Sequence, residues 1–411
     1  MKVLVTNPVK QYTHHLCYAL QEAGMLQEFL TTIWYKPDSP FQRQLVRKLP
    51  GAAREKIEHI FKKRYHPGLD SDRVSMHWMP ELMRQLGGKI FDLSQEKWVY
   101  RMERNHDRYV ASQLKRLQPD LVIAYEKSAK ETFAEARRLG ITTVLDLAQV
   151  HYQFIADLRT PFPVFKDVLG DEKTLARINE TKEAEYRLAD HILTLSDFAR
   201  ETMVSRGISG DRVHKVSLGF DPTRFQAKPL RKADAPFTFL FAGTLTQRKG
   251  IQLLLEAFTN LNLPNSKLVM VGPILDGKEI LDQYEGQFEY IPFLHHEELV
   301  RYYQAADVFV FPSLLDSWAM VVLEAMACGT PAIVTDHTGS RDAVLKGGGL
   351  VIPAGDLQAL TSSMLRLYQD RAELAQLGQE ALKVSQEYTW EQYGKNMVRV
   401  LEGISQPVPL A

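Results

Sequence analysis

The stretch Phe309-Val-Phe-Pro312-Ser-Leu-Leu-Asp316-Ser-Trp-Ala-Met-Val-Val-Leu-Glu324-Ala-Met-Ala-Cys-Gly329-Thr-Pro331-Ala-Ile-Val-Thr335 reads as strand, loop, helix and strand. Val308 to Phe311 is a continuous apolar run stopped by Pro312 and Ser313, as expected of a strand buried on both faces of a parallel sheet. From about Ser317 to Cys328 the chain is rich in Met, Leu, Ala and Val, and Gly329 followed by Pro331 supplies a stop. A helix beginning near Ser317 puts Asp316 at its mouth and Glu324 about two turns inside, roughly 12 Å along the axis at 1.5 Å per residue. A helix N-terminus at the carboxyl end of a parallel strand is where unpaired N–H groups and the helix dipole meet an anion. A diphosphate fits between the two acids, with Asp316 accepting from a group ahead of it and Glu324 from paired hydroxyls behind it. Taken singly, Asp316 reads equally well as an N-cap and Glu324 as a solvated helix residue. Glu324 is flanked by Val322, Leu323, Ala325, Met326 and Ala327, however, so its helix is expected to be largely buried, and a buried acid needs a partner.

Moving outward, the same strand-to-helix pattern precedes this stretch. Phe237–Phe241 is an apolar run followed by Ala242-Gly243-Thr244-Leu-Thr-Gln-Arg248-Lys249-Gly250 and a helical pattern over 251–261, which places two cations where a phosphate belongs. Strands are expected over 267–272 and 289–293. His295 and His296 are adjacent, so they face apart on a helix and make a poor metal pair. Lys228-Pro229 and Ala235-Pro236 read as a linker. Before it, Lys2–Thr6, a helix over 13–23 and Phe29–Ile33 form a doubly wound opening, continued by a helix near 93–117, a strand over 121–125, a helix over 130–139 and a strand over 142–147. Asn7-Pro-Val-Lys-Gln-Tyr-Thr13 stands where a nicotinamide-binding domain carries Gly-x-Gly-x-x-Gly, which disfavours a dinucleotide oxidoreductase.

The regular alternation breaks from Lys36 to Pro80. Between Phe41 and His66 eight Lys and Arg residues face only Glu55 and Glu58, with apolar residues interleaved. That composition suits either a solvated helical hairpin or an amphipathic surface for anionic lipid. The whole chain of 411 residues has a formal net charge of zero, so no global field favours nucleic acid. At 45% hydrophobic residues it can form two ordinary cores. Its only cysteines, Cys17 and Cys328, both lie in apolar helical patterns and suit a reducing compartment. With no apolar run long enough for a secretory signal or a span, a cytoplasmic location is expected, with peripheral contact at the inner membrane face.

The central stretch resembles the Glu-x7-Glu signature of the family 4 retaining glycosyltransferases, whose usual form is Glu-Gly-Phe-Gly-Leu-x-x-x-Glu-Ala-Met-Ala-x-Gly-x-Pro. Asp316 stands for the first Glu, Trp318 for Phe, Ala319 for the second Gly and Met320 for Leu, while Leu323 to Pro331 keeps the pattern intact. The family's Gly-Arg-x4-Lys-Gly is matched at Lys249 and Gly250, with Thr244 in the Arg position and Arg248 supplying a neighbouring charge. Tyr290-Ile-Pro-Phe-Leu294 is similar to the loop beside the nucleotide base, with Leu294 in the usual Val position. Thr338-Gly-Ser-Arg-Asp342 resembles Gly-Gly-x-x-Glu. The loop holding His151 corresponds to one that often carries a His facing the transferred sugar.

The resemblance implies an α/β protein of the GT-B fold, two doubly wound Rossmann-like lobes facing across a cleft. Residues 1–228 would form the acceptor lobe, 229–386 the nucleotide-sugar lobe, and 387–411 a helix crossing back. It implies retaining, metal-independent transfer from a nucleoside diphosphate sugar to a glycan, lipid or small-molecule alcohol, with no further cofactor. His151, Arg248, Lys249 and Asp316 would be catalytic. Thr244, Leu294, Ser317, Trp318, Ala319, Met320, Val321 and Glu324 would bind the donor together with Asp316. A GT-B epimerase or phosphorylase, or a two-lobed binding protein, are the alternatives that share this architecture.

Overall fold

A computed structural model of the chain describes residues 1–9, 12–36, 39–47, 50–51, 54–55, 58, 64–78, 95–167, 172–227 and 235–405. The apolar runs form two parallel sheets. The first contains β1 (Val3–Thr6), β2 (Leu26–Thr31), β3 (Val74–Met76), β4 (Leu121–Tyr125), β5 (Thr142–Leu147), β6 (His191–Thr194) and β7 (Val213–Lys215), in the order β3-β2-β1-β4-β5-β6-β7. The second contains β8 (Phe237–Ala242), β9 (Ser266–Val271), β10 (Glu289–Ile291), β11 (Val308–Phe311), β12 (Ala332–Thr335) and β13 (Gly349–Ile352), in the order β10-β9-β8-β11-β12-β13. In each sheet the strand order reverses beside the first strand, at β1/β4 and at β8/β11. Such a switch point opens a crevice at the carboxyl ends of the strands, where ligands of doubly wound folds sit.

Helices fill the crossovers of the first lobe: α1 (Thr13–Glu22), α2 (Pro40–Arg47), α3 (Gln95–Leu117), α4 (Lys130–Arg138), α5 (Tyr152–Asp157), α6 (Val164–Asp167), α7 (Glu172–Leu188) and α8 (Asp197–Val204). The second lobe adds α9 (Ile251–Leu261), α10 (Lys278–Gln283), α11 (His296–Ala305), α12 (Met320–Ala327), α13 (Arg341–Val344), α14 (Leu357–Gln369) and α15 (Arg371–Ser385). Strands β8 and β11, sandwiched between helices, are buried along their whole length, which is why they read as continuous apolar runs. The last helix, α16 (Trp390–Ser405), leaves the second lobe and packs on α1 of the first. Trp390 stacks on His15 with ring centroids 3.7 Å apart, and Tyr12 meets Tyr393 edge-on. Just before that helix the chain pairs with the outgoing crossing: Phe220 N donates to Tyr388 O at 2.9 Å and Trp390 N to Phe220 O at 3.3 Å.

The structure corrects three expectations from the sequence. The second strand runs over Leu26–Thr31 instead of 29–33, because Gln27 and Glu28 sit half-buried within it and masked its apolar period. The irregular stretch 36–80 contributes the short edge strand β3, which follows a single turn capped by Asp70 and is too brief to carry a period of its own. The helix expected from Ser317 begins at Met320. Much of the basic 41–66 run, and the boundary at 228/229, lie outside the described residues.

Candidate active site

The β8/β11 switch point gathers the second-lobe residues singled out above. After β8 the chain turns through Gln247–Lys249 into α9, and Gly250 makes that turn at φ +73°. A Cβ there would lie 2.0 Å from the Pro312 carbonyl oxygen, so the loops after β8 and β11 touch backbone to backbone at a position only glycine fits. Leu314 N donates to Arg248 O at 2.9 Å, and Arg248 Nη1 donates to Leu315 O at 2.6 Å. The Arg248 cation thus clamps the second loop. Lys249 reaches further and pairs with the Asp316 carboxylate, over the face of Phe311. Burial and the neighbouring Arg248 draw the Lys249 pKa down to about 7.

Asp316 is not the N-cap. Its Oδ1 accepts from Trp318 N at 3.0 Å, and its backbone forms an isolated parallel bridge with Thr338. Gly339 N donates to Asp316 O and Ser340 N to Trp318 O, so residues 316–318 are held nearly as a strand. The chain reverses only at Ala319, whose φ of 62° and ψ of 73° are left-handed, and α12 starts after it. This is the position where the resembling signature has Gly. A Cβ in that region costs roughly 1–2 kcal/mol. Ala319→Gly is therefore expected to raise stability by about 0.5–1 kcal/mol after the extra backbone entropy of Gly is counted. A urea midpoint that falls would show that contacts of the Ala319 methyl outweigh the strain.

Glu324, buried at 8% exposure, lies one turn into α12, where Tyr303 Oη donates to its Oε2 at 2.8 Å. With Met320 it forms the α12 wall of a cavity of about 1150 Å³ between the lobes, closed on the other sides by α1, α16 and residues 220–225. Lys249 and Asp316 are not among that cavity's walls; they stand at the entrance of α12, with Glu324 one turn inside it. Thr244 is exposed in the loop after β8, and Leu294 is half-buried against the core after β10. Ser317 lies at the junction of the lobes, its carbonyl 3.4 Å from Ser196 Oγ of the first. Ser196 also caps α8, accepting from Ala199 N.

His151 comes from the other sheet, after β5, and is 2% exposed. It caps α5: Nδ1 accepts from Gln153 N at 3.2 Å, which leaves the ring proton on Nε2. Burial lowers its pKa to about 4, so the imidazole is neutral at physiological pH. Its ring packs on Tyr152 and Tyr186. The structure does not bring it against Asp316 or Lys249; it brings its helix to their loop. Val150, Leu158, Phe165 and Phe198 form one apolar cluster with Leu315.

Two features here escaped the sequence reading. His337 stacks on Phe198 at 5.6 Å and meets Phe154 edge-on, with Nδ1 3.1 Å from Leu314 O. Asp342 accepts from Asp197 N at 2.7 Å and pairs with Lys215, both of the first lobe. The aromatic spacing of Tyr152, Phe154, Phe162 and Phe165 after His151 is the available signal for the first; the Thr338–Asp342 motif singles out Asp342 itself, but nothing local announces its contacts with the first lobe.

A two-sheet protein with facing switch points, a cation–carboxylate pair at one of them and a closing helix that returns to the first lobe has the architecture of the GT-B glycosyltransferases. Solved structures share it over the whole chain: sucrose-phosphate synthase from Thermosynechococcus elongatus has 20% identity, a TM-score of 0.68 and covers 98% of this chain and 99% of its own. Anabaena Alr3699/HepE in complex with UDP has 15% identity, a TM-score of 0.66 and coverage of 98% and 100%. Residues 222–384 match the family Glycosyl transferases group 1. The amylovoran biosynthesis glycosyltransferase AmsK of Erwinia amylovora is 24% identical over 330 residues, spanning 72% of this chain and 76% of its own. The chain is a glycosyltransferase, and its second lobe matches Glycosyl transferases group 1 over residues 222–384.

Proposed function

We propose that the enzyme transfers a hexose or related sugar from a nucleoside diphosphate sugar to an acceptor alcohol with retention at the anomeric carbon, and without a metal ion. The observation that carries this reading is the Lys249–Asp316 pair at the β8/β11 switch point, a half-buried cation beside an acid at the carboxyl ends of two parallel strands. In it, Lys249 and the backbone N–H groups of Met320 and Val321 take the diphosphate, and Arg248 fixes the loop that presents Asp316. Ser317, Trp318 and Ala319 form the wall of the sugar site, and Thr244 lies at its rim. Asp316 orients sugar hydroxyls, Leu294 packs on the base, Glu324 takes the ribose, and His151 donates from Nε2 to the sugar across the cleft. A uridine donor is the first to test, since HepE was solved with UDP-glucose.

The bond from the anomeric carbon to the diphosphate breaks, and the acceptor oxygen bonds to the same face of that carbon. The acceptor proton passes to an oxygen of the departing diphosphate, which gains negative charge as the bond breaks. Charge that grows on the leaving diphosphate is met by a cation already in place. Among the described residues no group of three His, Cys, Asp or Glu is placed to hold a metal. Activity is accordingly expected to survive excess EDTA, and a requirement for added Mg²⁺ or Mn²⁺ would overturn that part of the reading. Mass spectrometry of products with and without acceptors separates transfer from epimerisation or hydrolysis of the donor.

For location, we propose a cytoplasmic enzyme that rests on an anionic membrane through the 41–66 run, with its six-charge excess. Among the described residues no helix is long and apolar enough to cross a membrane. Absence of binding to anionic vesicles at low salt would remove the membrane contact.

A further inference from the structure

A second cavity, of about 550 Å³, opens in the first lobe between the first half of α3, the start of α4 and α7. Arg101, Arg104, Arg108, Lys130 and Arg177 line it, against the single carboxylate of Glu131. With Asp107 paired to Arg104 as well, three positive charges stand in excess at one groove, in a chain whose formal net charge is zero, a local field that favours an anion.

Arg104 is accounted for. It is buried and pairs with Asp107 at 2.8 Å and Glu131 at 2.9 Å. Asp107 in turn accepts from Glu131 N and Thr132 N, so the pair anchors α3 to α4. The other four cations are exposed, and among the described residues none has a carboxylate within 4 Å. Residues 101, 104 and 108 recur on one helical face. They meet Arg177 across the groove. Trp98 lies beneath Arg101, 5.5 Å from its guanidinium, and holds it in place.

The groove is at the carboxyl ends of the first sheet, since Lys130 opens the helix that follows β4. The same end carries His151. Helix α7 connects the two: from Arg177 to Tyr186 is roughly 13 Å at 1.5 Å per residue. The Tyr186 ring then lies 5.1 Å from that of His151.

We propose that this groove receives an anionic group of the acceptor, a phosphate or a carboxylate set a few linked sugar units away from the hydroxyl that is glycosylated. The acceptor is then an acidic glycan. This rests on the reading of the first lobe as the acceptor side, and the experiment separates the two. Calorimetry on the full chain at moderate salt uses trigalacturonate, its reduced neutral counterpart and pyrophosphate as probes. Tighter binding of trigalacturonate than of the neutral sugar is expected, weakened about tenfold or more in R101Q/K130Q/R177Q. The control K115Q/R116Q, which removes two cations of α3 outside the groove, leaves it unchanged, and nucleotide affinity is unchanged in both. Pyrophosphate binding that R101Q/K130Q/R177Q loses, with no uronate binding, assigns the groove to a phosphate-bearing acceptor, since binding at Lys249 survives in that variant; the reverse assigns it to a uronate. Equal binding of charged and neutral sugars, no binding of any probe, or equal loss in both variants overturns the proposal. Donor turnover is scored separately, so an enzyme inactive with every donor but retaining groove-dependent uronate binding would sink the transfer reading alone.

Discussion

Lys249→Ala lowers kcat/KM for the donor by about 10²–10³-fold, the scale of removing one preorganised donor from a developing oxyanion. The side chain is mostly shielded from solvent, faces Asp316 and already lies at the mouth of the switch-point crevice, so its charge is in place at the moment the diphosphate leaves. The Arg248→Ala loss is smaller in kcat, because the Arg248 guanidinium is spent on the Leu315 carbonyl and acts through the loop. The pH profile gives an independent check. Burial and Arg248 set the Lys249 pKa near 7, so the charged form is present below that value and fades above it. Diphosphate affinity of the free enzyme is therefore expected to weaken by up to about tenfold per pH unit above neutrality. His151, neutral down to about pH 4, adds no limb in the range from 5 to 7. A flat profile, or a Lys249→Ala enzyme within threefold of the parent at saturating acceptor, would mean that another group carries the diphosphate.

The second large effect is expected at Glu324. Replacing it by Gln removes one charge-assisted acceptor and weakens nucleoside diphosphate binding by about 1.5–3 kcal/mol, which is roughly 10- to 150-fold. The fold should tolerate it, because the amide oxygen still accepts from Tyr303 at the same place. Tyr303→Phe separates holding from binding. If Tyr303 merely positions the acid, Y303F weakens nucleotide binding less than E324Q; if the acid exists only to satisfy the buried tyrosine, E324Q leaves affinity untouched and Y303F destabilises the protein. Titration calorimetry of both variants, with thermal melts alongside, decides.

Much of the second lobe could be read in the chain itself. Continuous apolar runs bounded by Gly and Pro placed β8 and β11, and two cations after a strand placed Arg248 and Lys249, since these are signals of local backbone and charge. The start of α12 was misplaced by three residues because what holds residues 316–318 extended is the bridge to Thr338, a partner 22 residues downstream with no local trace. The same applies to Asp342, whose partners Lys215 and Asp197 belong to the other lobe. Edge strand β3 was invisible for the opposite reason: three residues are too few to show a period. The first-lobe groove was legible only in part, as a basic helix face, since Arg177 joins it from 69 residues beyond Arg108.

The pairing of Phe220 with residues 388–390 has a mechanical meaning. The chain passes between the lobes twice, and both passages are fastened side by side by main-chain hydrogen bonds, with Thr389 backbone so near Gly219 that a Cβ there would overlap it. Two bodies tied at one such point can swing about it but cannot slide past each other. Opening and closing would then be a pivot like that of a door, in which sites far from the fastening travel furthest while Phe220 and Thr389 barely move. Clamping that fastening with a disulfide should leave the swing intact, whereas a bulky residue in place of Gly219 should unhinge the two halves altogether.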